Sequence, residues 1–349
     1  MNPIAHSPHA HAPVSISKVM ATVLLALLPA TLFGFWLYGW PAVELWALSL
    51  LAAMLGEALI VRMQGRKVRP VLMDGSGILT AWLLALSLPP YAPWWIAVLG
   101  SLFAVIIGKQ LFGGLGQNVF NPAMAARVML LISFPLEMTT WTVPKLSPGW
   151  LDSLRITFLS QPLDGMASAS VLGHVKTEFS RGVGLDQALV GYYAPLDALW
   201  GSRVGSLGET AALLLLVGGL FLIARRIITW HAPVAMLLGV AVPALLFNLI
   251  DGNHYAGPMV HLLSGGLMLG AFFIITDPVT SPNTVLGQAL FGFGCGLLTW
   301  IIRTWGGYPE GVAFAVLLMN AATPLIDQYI KPRIYGRDSK GVALPVNKG

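Results

Sequence analysis

The chain has 349 residues, of which 56% are apolar and only 10% are charged. A soluble domain carries about 25% charged residues, so these side chains cannot cover a water-facing surface. The composition therefore excludes a soluble globular protein and predicts an all-α integral membrane protein, because a helix satisfies its own backbone hydrogen bonds in lipid. The net charge of +5 does not indicate nucleic-acid binding, since the basic residues follow the predicted membrane topology.

The first 17 residues are polar and contain no signal peptide, and the histidines among them are interpreted as part of a solvated tail. About ten apolar segments follow, most of them near the length of about 20 residues that a membrane helix needs. The third and fifth are short for a full crossing. In chain order the segments are 18–38, 42–62, 72–88, 92–110, 120–135, 210–226, 231–250, 258–275, 284–302 and 309–330.

Most basic residues lie on one side of these segments, which predicts that both termini are cytoplasmic in a bacterial inner membrane. The predicted domains are a cytoplasmic tail, a first membrane repeat of five spans, a periplasmic loop, a second membrane repeat of five spans and a basic cytoplasmic tail. Their bounds are 1–17, 18–135, 136–209, 210–330 and 331–349.

The two membrane halves resemble each other weakly. The string SGILTAWLLALSLPP at 76–90 is matched by SGGLMLGAFFIITDP at 264–278, and the glycine pair at 113–114 by the pair at 306–307. Five spans per half would place the second copy upside down, so an inverted repeat is predicted. Interrupted segments form the central site of such proteins, and the clearest one predicts a helix capped by Asn121 with Pro122 in its first turn.

Ionisable residues within the spans are candidates for function, because burying them in lipid is costly. Glu57 is the most conspicuous. It could line an ion path, or it could form a buried ion pair with Arg127 or Lys109, and both interpretations stay open. Asn320 is interpreted as an inter-helix hydrogen-bonding group, and Cys295 as a packing residue.

Several chemical motifs are missing from the sequence. It has no GxxxxGK[ST] phosphate loop, no nucleotide fingerprint and no HExxH or cysteine-rich metal motif. No catalytic residue or metal ligand is therefore assigned, and redox chemistry would need an added cofactor. The hydrophilic interval contains DGMASASVL at 164–172, whose small residues are typical of a flexible linker.

Specific strings carry a family resemblance over about residues 18–335. They are DGSGILTAWLLALSLPP, GGLGQNVFNPAMAARVMLL, GSLGETAALLLLVGGL, FFIITDPVTSP, EGVAFAVLLMNAATPLIDQY and DGMASASVL. In these strings the chain resembles the D subunit family of the Rnf ion-translocating electron-transport complex, which is similar to the B subunit of the sodium-pumping NADH:quinone oxidoreductase. The resemblance implies ten helices in two inverted repeats, comparable in fold to urea and ammonium channels.

The resemblance also implies a covalent FMN, joined through its phosphate to a threonine hydroxyl in a motif of the form D-G-x-[ST]-[GS]-A-T. The matching positions here are Asp164, Gly165, Ser168, Ala169 and Ser170. Serine thus takes the place of the acceptor threonine, and Ser168 is the alternative acceptor. A second flavin, non-covalent riboflavin, is implied among the helices, with residues 76–80 and 113–121 as candidate lining.

The function implied by the resemblance is that of a flavin-carrying membrane subunit of a complex that couples electron transfer between NADH and ferredoxin, or a similar carrier, to movement of Na⁺ or H⁺. Expected partners are other subunits of the complex, including a second one with covalent flavin, a flavin transferase and membrane lipid, but no nucleic acid. The isolated chain is expected to catalyse nothing. The alternatives are a small-solute channel or carrier of urea/ammonium-channel-like fold, and a structural anchor without flavin.

Overall fold

A computed structural model describes residues 15–146, 148–160, 167–201 and 203–332. Parts of the sequence that carried expectations lie outside these residues: the histidines of the N-terminal tail, Asp164, Gly165 and the basic tail from Arg333 onward. The described residues form helices, apart from turns and one pair of two-residue strands. The predicted all-α class is confirmed at this level.

Within the described residues, six helices are long and apolar enough to cross a membrane. They are Ile16–Tyr38, Trp40–Met63, Trp94–Phe112, His231–Ile250, Val285–Trp305 and Val312–Tyr329. Shorter apolar helices are Ser76–Ser87, Pro122–Ser133 and Ala212–Ala224. Large side chains such as Leu55 and Leu249 are exposed on the outer faces of these helices. So extensive an apolar surface cannot face water, and it indicates a multi-pass membrane protein.

The first half of the chain contains α1 (Ile16–Tyr38), α2 (Trp40–Met63), α3 (Val68–Leu72), α4 (Ser76–Ser87), α5 (Trp94–Leu102) and α6 (Pro122–Ser133). A break at Gly75, whose φ of 81° favours glycine, separates α3 from α4. Helix α5 continues into a π-helical turn, Phe103–Ile107, and a 3₁₀ turn, Gln110–Phe112. Helix α6 begins as predicted, with the Asn121 side chain accepting the Met124 N–H at 3.2 Å and Pro122 in the first turn.

The hydrophilic interval is folded onto the ends of the membrane helices. It contains α7 (Pro135–Thr139), β1 (Trp141–Thr142), α8 (Trp150–Leu159), β2 (Ala167–Ser168), α9 (Val171–Ser180), α10 (Leu185–Leu189) and α11 (Pro195–Trp200), and the two strands pair antiparallel. The Lys145 N–H donates to Leu37 O at 2.8 Å, which ties the interval to the end of α1. The Leu185 N–H donates to Asn253 O at 2.9 Å, just beyond the end of the helix His231–Ile250.

The second half contains α12 (Ala212–Ala224), α13 (His231–Ile250), α14 (Pro258–Leu263), α15 (Leu267–Leu269), α16 (Val285–Trp305) and α17 (Val312–Tyr329). A 3₁₀ turn, Glu209–Ala211, precedes α12, and a π-helical turn, Gly270–Ile274, follows α15. Helices α14 and α15 are separated by a break at Gly265, whose φ is 69°. Each of the ten predicted apolar segments therefore coincides with one or two helices, and the third and eighth are both interrupted at a glycine.

Helices α13 and α16 approach each other closely through glycines. A Cβ atom added at Gly296 would lie 2.1 Å from Met236 O, and one added at Gly292 would lie 2.3 Å from Ala232 O. Small residues four positions apart allow two membrane helices to pack backbone against backbone. This contact has no room for any larger side chain.

We expect Gly296→Ala to destabilise the protein by about 1–3 kcal/mol, because the added methyl group must push α13 and α16 apart. The measurement is thermal unfolding of the detergent-solubilised protein, followed by tryptophan fluorescence. Gly307→Ala is the matched control, since a Cβ atom there meets nothing within 4 Å. Equal unfolding temperatures for the two variants would contradict this account of the helix contact.

Candidate functional site

The hydroxyl of Ser170 caps helix α9. Its Oγ accepts the Gly173 N–H at 3.2 Å, and the side chain is half-buried. Two residues earlier, the backbone of Ser168 pairs with Trp141 in the strand ladder. Contacts thus hold the chain on both sides of Ser170, and the described part of DGMASASVL is not a flexible linker.

The position of Ser170 suits an attached phosphate. The N-terminus of a helix presents free N–H groups and the positive end of the helix dipole, both of which favour a negative charge. Helix α9 has ten residues, which is long enough for its dipole to contribute to the potential at its N-terminus. The side chain of Ser168 lies outside the described residues, and the preference for Ser170 over Ser168 as acceptor stays a prediction.

Two adjoining cavities lie beside Ser170. The smaller is lined by residues of the interval and of the membrane helices: Trp141, Ser170, Arg203, Glu209, Ser264 and Glu310. The larger has a volume of about 560 Å³, and Ala169, Tyr192, Tyr193 and Arg203 are among its lining residues. Its volume is within the range of about 300–1,000 Å³ that is usual for small-molecule sites. Val171, Arg203 and Val204 line both cavities, so the two cavities are adjacent.

Two aromatic residues, Tyr192 and Tyr193, are part of the wall of the larger cavity. The ring of Tyr192 stacks on His174 of α9, with ring centroids 3.6 Å apart and planes 4° from parallel. The Tyr193 hydroxyl donates to Met259 O at 3.1 Å. Burial raises the pKa of Tyr193, and the neighbouring Arg203 partly lowers it, so the phenol is neutral at physiological pH.

Arg203 is buried between these cavities, with 8% of its surface exposed. Its Nη1 donates to Ser264 Oγ at 3.2 Å and its Nη2 donates to Glu209 O at 2.9 Å. The third nitrogen, Nε, has no hydrogen-bond partner among the described residues. A buried guanidinium N–H without a partner is costly, so this atom marks a place where an acceptor is expected.

An ion pair between Arg303 and Glu310 lies at the break between α14 and α15. Arg303 Nη2 lies 3.0 Å from Glu310 Oε1 and also donates to Ser264 O at 2.9 Å. Glu310 Oε2 accepts the Gly266 N–H at 2.8 Å. A Cβ atom at Gly265 would lie 1.9 Å from the same oxygen. The carboxylate thus satisfies backbone groups that the interrupted helix leaves free.

Lys176 of α9 connects the helix that begins at Ser170 to the end of α16. Its Nζ donates to Ile302 O at 3.3 Å, to Tyr308 O at 2.6 Å and to Gly306 O. Burial lowers the pKa of Lys176, whose ammonium group is half-buried. The three carbonyl oxygens compensate for lost water contacts, and they attach α9 to the turn that carries Glu310.

We expect Lys176→Met to loosen α9, because it removes three charge-assisted hydrogen bonds while keeping most of the apolar stem. The amide protons of residues 171–180 should exchange with deuterium about tenfold faster than in the unmutated chain, the change expected for the loss of about 1.4 kcal/mol of local stability. Arg181→Gln is the control, because the Arg181 side chain is 67% exposed and contacts only Glu178 in the described structure. An unchanged rate of amide exchange in Lys176→Met would show that these hydrogen bonds do not hold α9 in place.

Glu57 forms a buried ion pair with Lys109, near the end of α2 that lies away from the folded interval. Lys109 Nζ lies 2.5 Å from Glu57 Oε1, and the two side chains are 2% and 1% exposed. Gln110 donates to the same oxygen at 2.7 Å, and Lys109 also donates to Ser76 Oγ at 2.6 Å. Arg127, the other candidate partner, donates instead to Ser87 O. Of the two pairings left open, the structure therefore contains the one with Lys109.

A further cavity lies among the membrane helices next to this pair. It brings together parts of both segments suggested as flavin lining, with Ser76 and Thr80 from one and Asn118 and Asn121 from the other. Lys109, Thr276, Asp277 and the rings of Phe272 and Phe273 complete the wall. A few convergent polar groups on an apolar wall are typical of a cofactor site.

Similarity to known proteins decides the family. The family model described as "NQR2, RnfD, RnfE family" matches residues 3–336. Two proteins named as the D subunit of an ion-translocating oxidoreductase complex are similar to this chain over nearly its whole length. The one from Stutzerimonas stutzeri is 54% identical over 340 residues, 96% of each chain, and the one from Halorhodospira halophila is 49% identical over 354 residues, 100% of this chain and 99% of the relative.

The chain belongs to the NQR2, RnfD, RnfE family. A third relative of the same name, from Escherichia coli (strain K12 / DH10B), is 43% identical over 349 residues and covers 95% of this chain and 98% of its own length. The family resemblance found in the sequence is confirmed.

Several site residues of this family member were not predicted from its sequence. Arg203, Glu209, Glu310 and Lys176 were not singled out, although charged residues are sparse in the chain. The signal that could have found these residues is a charged side chain close to the end of an apolar segment. Asn320 was interpreted correctly: its Oδ1 accepts the Asn121 N–H at 3.0 Å, which joins α17 to the start of α6.

Proposed function

We propose that this chain is a subunit of an ion-translocating oxidoreductase complex, and that it carries FMN on Ser170. The similarity to proteins named as the D subunit of such a complex supports the first part. The observation that carries the second is the Ser170 hydroxyl, which lies at a helix N-terminus beside a cavity of about 560 Å³.

The residues present fit a covalent FMN. Ser170 supplies the hydroxyl for a phosphoester, and the N-terminus of α9 and the unpartnered Nε of Arg203 supply positive potential beside it. Tyr192 and Tyr193 line the larger cavity and supply aromatic surface for a flat ring. Bound FMN would contribute a ring that accepts and releases electrons, whereas the chain holds and orients it.

A second flavin, non-covalent riboflavin, is proposed for the cavity among the membrane helices. Asn118, Asn121, Thr80 and Asp277 offer the donors and acceptors that a ribityl chain and a flavin ring require. The free volume is about 100 Å³, so the lining side chains would have to move apart to admit the ring. Breaks and short helices in this region make such movement less costly than in a regular bundle.

The architecture proposed is ten membrane helices in two inverted repeats, with both termini cytoplasmic in the inner membrane. The two buried ion pairs support it. In each half a carboxylate paired to a cation lies against a glycine of an interrupted segment, Glu57 against Gly77 and Glu310 against Gly265. One pair is near the end of α2 away from the folded interval, and the other is beside the interval. The cations Lys109 and Arg303 both lie at the end of the fourth span of their half, which is the correspondence expected of an inverted repeat, whereas the carboxylates come from different elements.

Glu57 is proposed to contribute to the path of Na⁺ or H⁺, since a buried carboxylate that exchanges its partner can bind a cation or a proton. The complex would supply a second subunit with covalent flavin as electron partner, and a flavin transferase would modify Ser170. The test of the proposal is whether the denatured chain, produced together with the transferase, shows flavin fluorescence that depends on Ser170. A chain without such fluorescence would refute covalent attachment.

A further inference from the structure

Five charged groups lie at or near the smaller cavity. Arg203, Glu209 and Glu310 line it, and Arg127 and Arg303 interact electrostatically with these carboxylates. Because a guanidinium stays protonated, the three cations exceed the two carboxylates by at least one charge. Buried charges are normally balanced, so this excess next to a cavity favours an anionic ligand.

The carboxylates of this cluster already accept hydrogen bonds, whereas Arg203 uses only some of its donors within the described residues. Both oxygens of Glu310 are bonded, Oε1 to Arg303 and Oε2 to the Gly266 N–H. Glu209 Oε2 accepts the Ser206 N–H at 3.2 Å. A guanidinium has five N–H donors, and the described residues account for two of those of Arg203. Its free donors are therefore the ones available to a ligand.

We propose that Arg203 is the phosphate-binding residue of the flavin site, and that its free N–H groups hold the phosphodiester of FMN on Ser170. Arg203 and Ser170 line the same small cavity, and Arg203 also lines the larger one. The ring would occupy the larger cavity. The phosphodiester would lie at the smaller one, whose free volume is about 20 Å³, so its lining side chains would have to move apart. A phosphodiester carries a negative charge, which offsets the excess of the cluster, and Arg binds such groups through paired N–H donors.

This inference rests on the proposed attachment of FMN to Ser170, and it predicts which flavin the site selects. The site should prefer FMN to riboflavin, because only FMN has the phosphate that the guanidinium recognises. It should also hold the attached flavin in one orientation, since the phosphate is then anchored at two points, the Ser170 oxygen and Arg203.

The first experiment compares Arg203→Gln and Arg203→Lys with the unmutated chain in the complete complex, produced together with the transferase. Covalent flavin per chain is measured by in-gel fluorescence, and flavin mobility by fluorescence anisotropy of the native complex. We expect Arg203→Gln to lower covalent flavin several-fold or to lower its anisotropy, and Arg203→Lys to recover part of the loss. Arg155→Gln is the control, because the Arg155 side chain is 63% exposed and lies in the same folded interval.

Unchanged flavin content together with unchanged anisotropy in Arg203→Gln would overturn the inference and leave attachment to Ser170 standing. Absence of covalent flavin from the unmutated chain would instead refute the attachment itself. The two failures are therefore distinguishable.

A second measurement does not depend on folding of an Arg203 variant. The complex with Ser170→Ala keeps Arg203 and cannot form the ester. With riboflavin already bound in the cavity among the membrane helices, the affinities of this complex for further FMN and riboflavin are measured by quenching of flavin fluorescence. We expect FMN to bind about tenfold more tightly than riboflavin, as one charge-assisted phosphate contact would give. Equal affinities, or no binding of FMN, would overturn the assignment of Arg203.

Discussion

Given the proposed attachment of FMN to Ser170, replacing Ser170 by asparagine is expected to abolish covalent flavin while leaving helix α9 in place. Asparagine caps a helix as well as serine does, but it has no hydroxyl to esterify. The measurement is fluorescence of the denatured chain in a gel, after production with the flavin transferase. We expect no signal above that of a chain produced without the transferase.

Other variants at and near Ser170 separate the effect of losing the hydroxyl from the effect of losing the helix cap. Ser170→Ala removes both, with a cost of about 1 kcal/mol to α9 for the lost cap, so its loss of flavin alone would be ambiguous. Ser170→Thr keeps both and should be flavinylated at least as well as the unmutated chain, since the family resemblance implies a threonine as the acceptor. Ser168→Ala should retain the signal. Fluorescence that persists in Ser170→Asn would move the attachment to another residue.

The second large effect is expected at the buried pair of Glu57 and Lys109. Lys109→Met leaves the Glu57 carboxylate without its cation, and Glu57→Gln leaves the Lys109 ammonium without its anion. Removing one partner of a buried ion pair costs about 3–5 kcal/mol. Both single variants should therefore unfold at markedly lower temperature than the unmutated protein, measured in detergent by tryptophan fluorescence.

The double variant Glu57→Gln with Lys109→Met tests whether the pair is only structural. It removes both charges, so it should recover most of the stability that either single variant loses. Na⁺ dependence of electron transfer is then measured for the complex in liposomes. Loss of coupling in this stable double variant would support a role of Glu57 in the ion path, whereas full coupling would restrict the pair to structure. A double variant as unstable as the two losses combined would contradict the pairing.

Local features of the site could be predicted because neighbours along the chain create them. Asn121 and Pro122 form a helix start through contacts within three residues, and the structure contains that start. The interruption of the third segment follows from its glycines in the same way. The attachment motif, in contrast, depends on likeness to a family, because small residues by themselves are equally typical of a linker.

The partner of Glu57 could not be predicted, since Lys109 and Arg127 were equal candidates by position in the sequence. The π-helical turn Phe103–Ile107 precedes Lys109 and Gln110, and both side chains reach the Glu57 carboxylate. Such turns shift the register of a helix, and hydropathy does not reveal them. Arg203 was missed for a related reason, because its contact with Ser264 spans 61 residues.

The sequence by itself determined the membrane class, the helical segments and the family, because hydropathy and motif order are properties of consecutive residues. Only the tertiary structure decided which cation neutralises Glu57, that Ser170 caps a helix within a folded interval, and that Arg203 lies at the same cavity. Those facts depend on residues far apart in the chain that are brought together by packing, as at the glycines of α13 and α16. A pattern along the chain shows which face of a helix is apolar, but it does not show which neighbour that face meets.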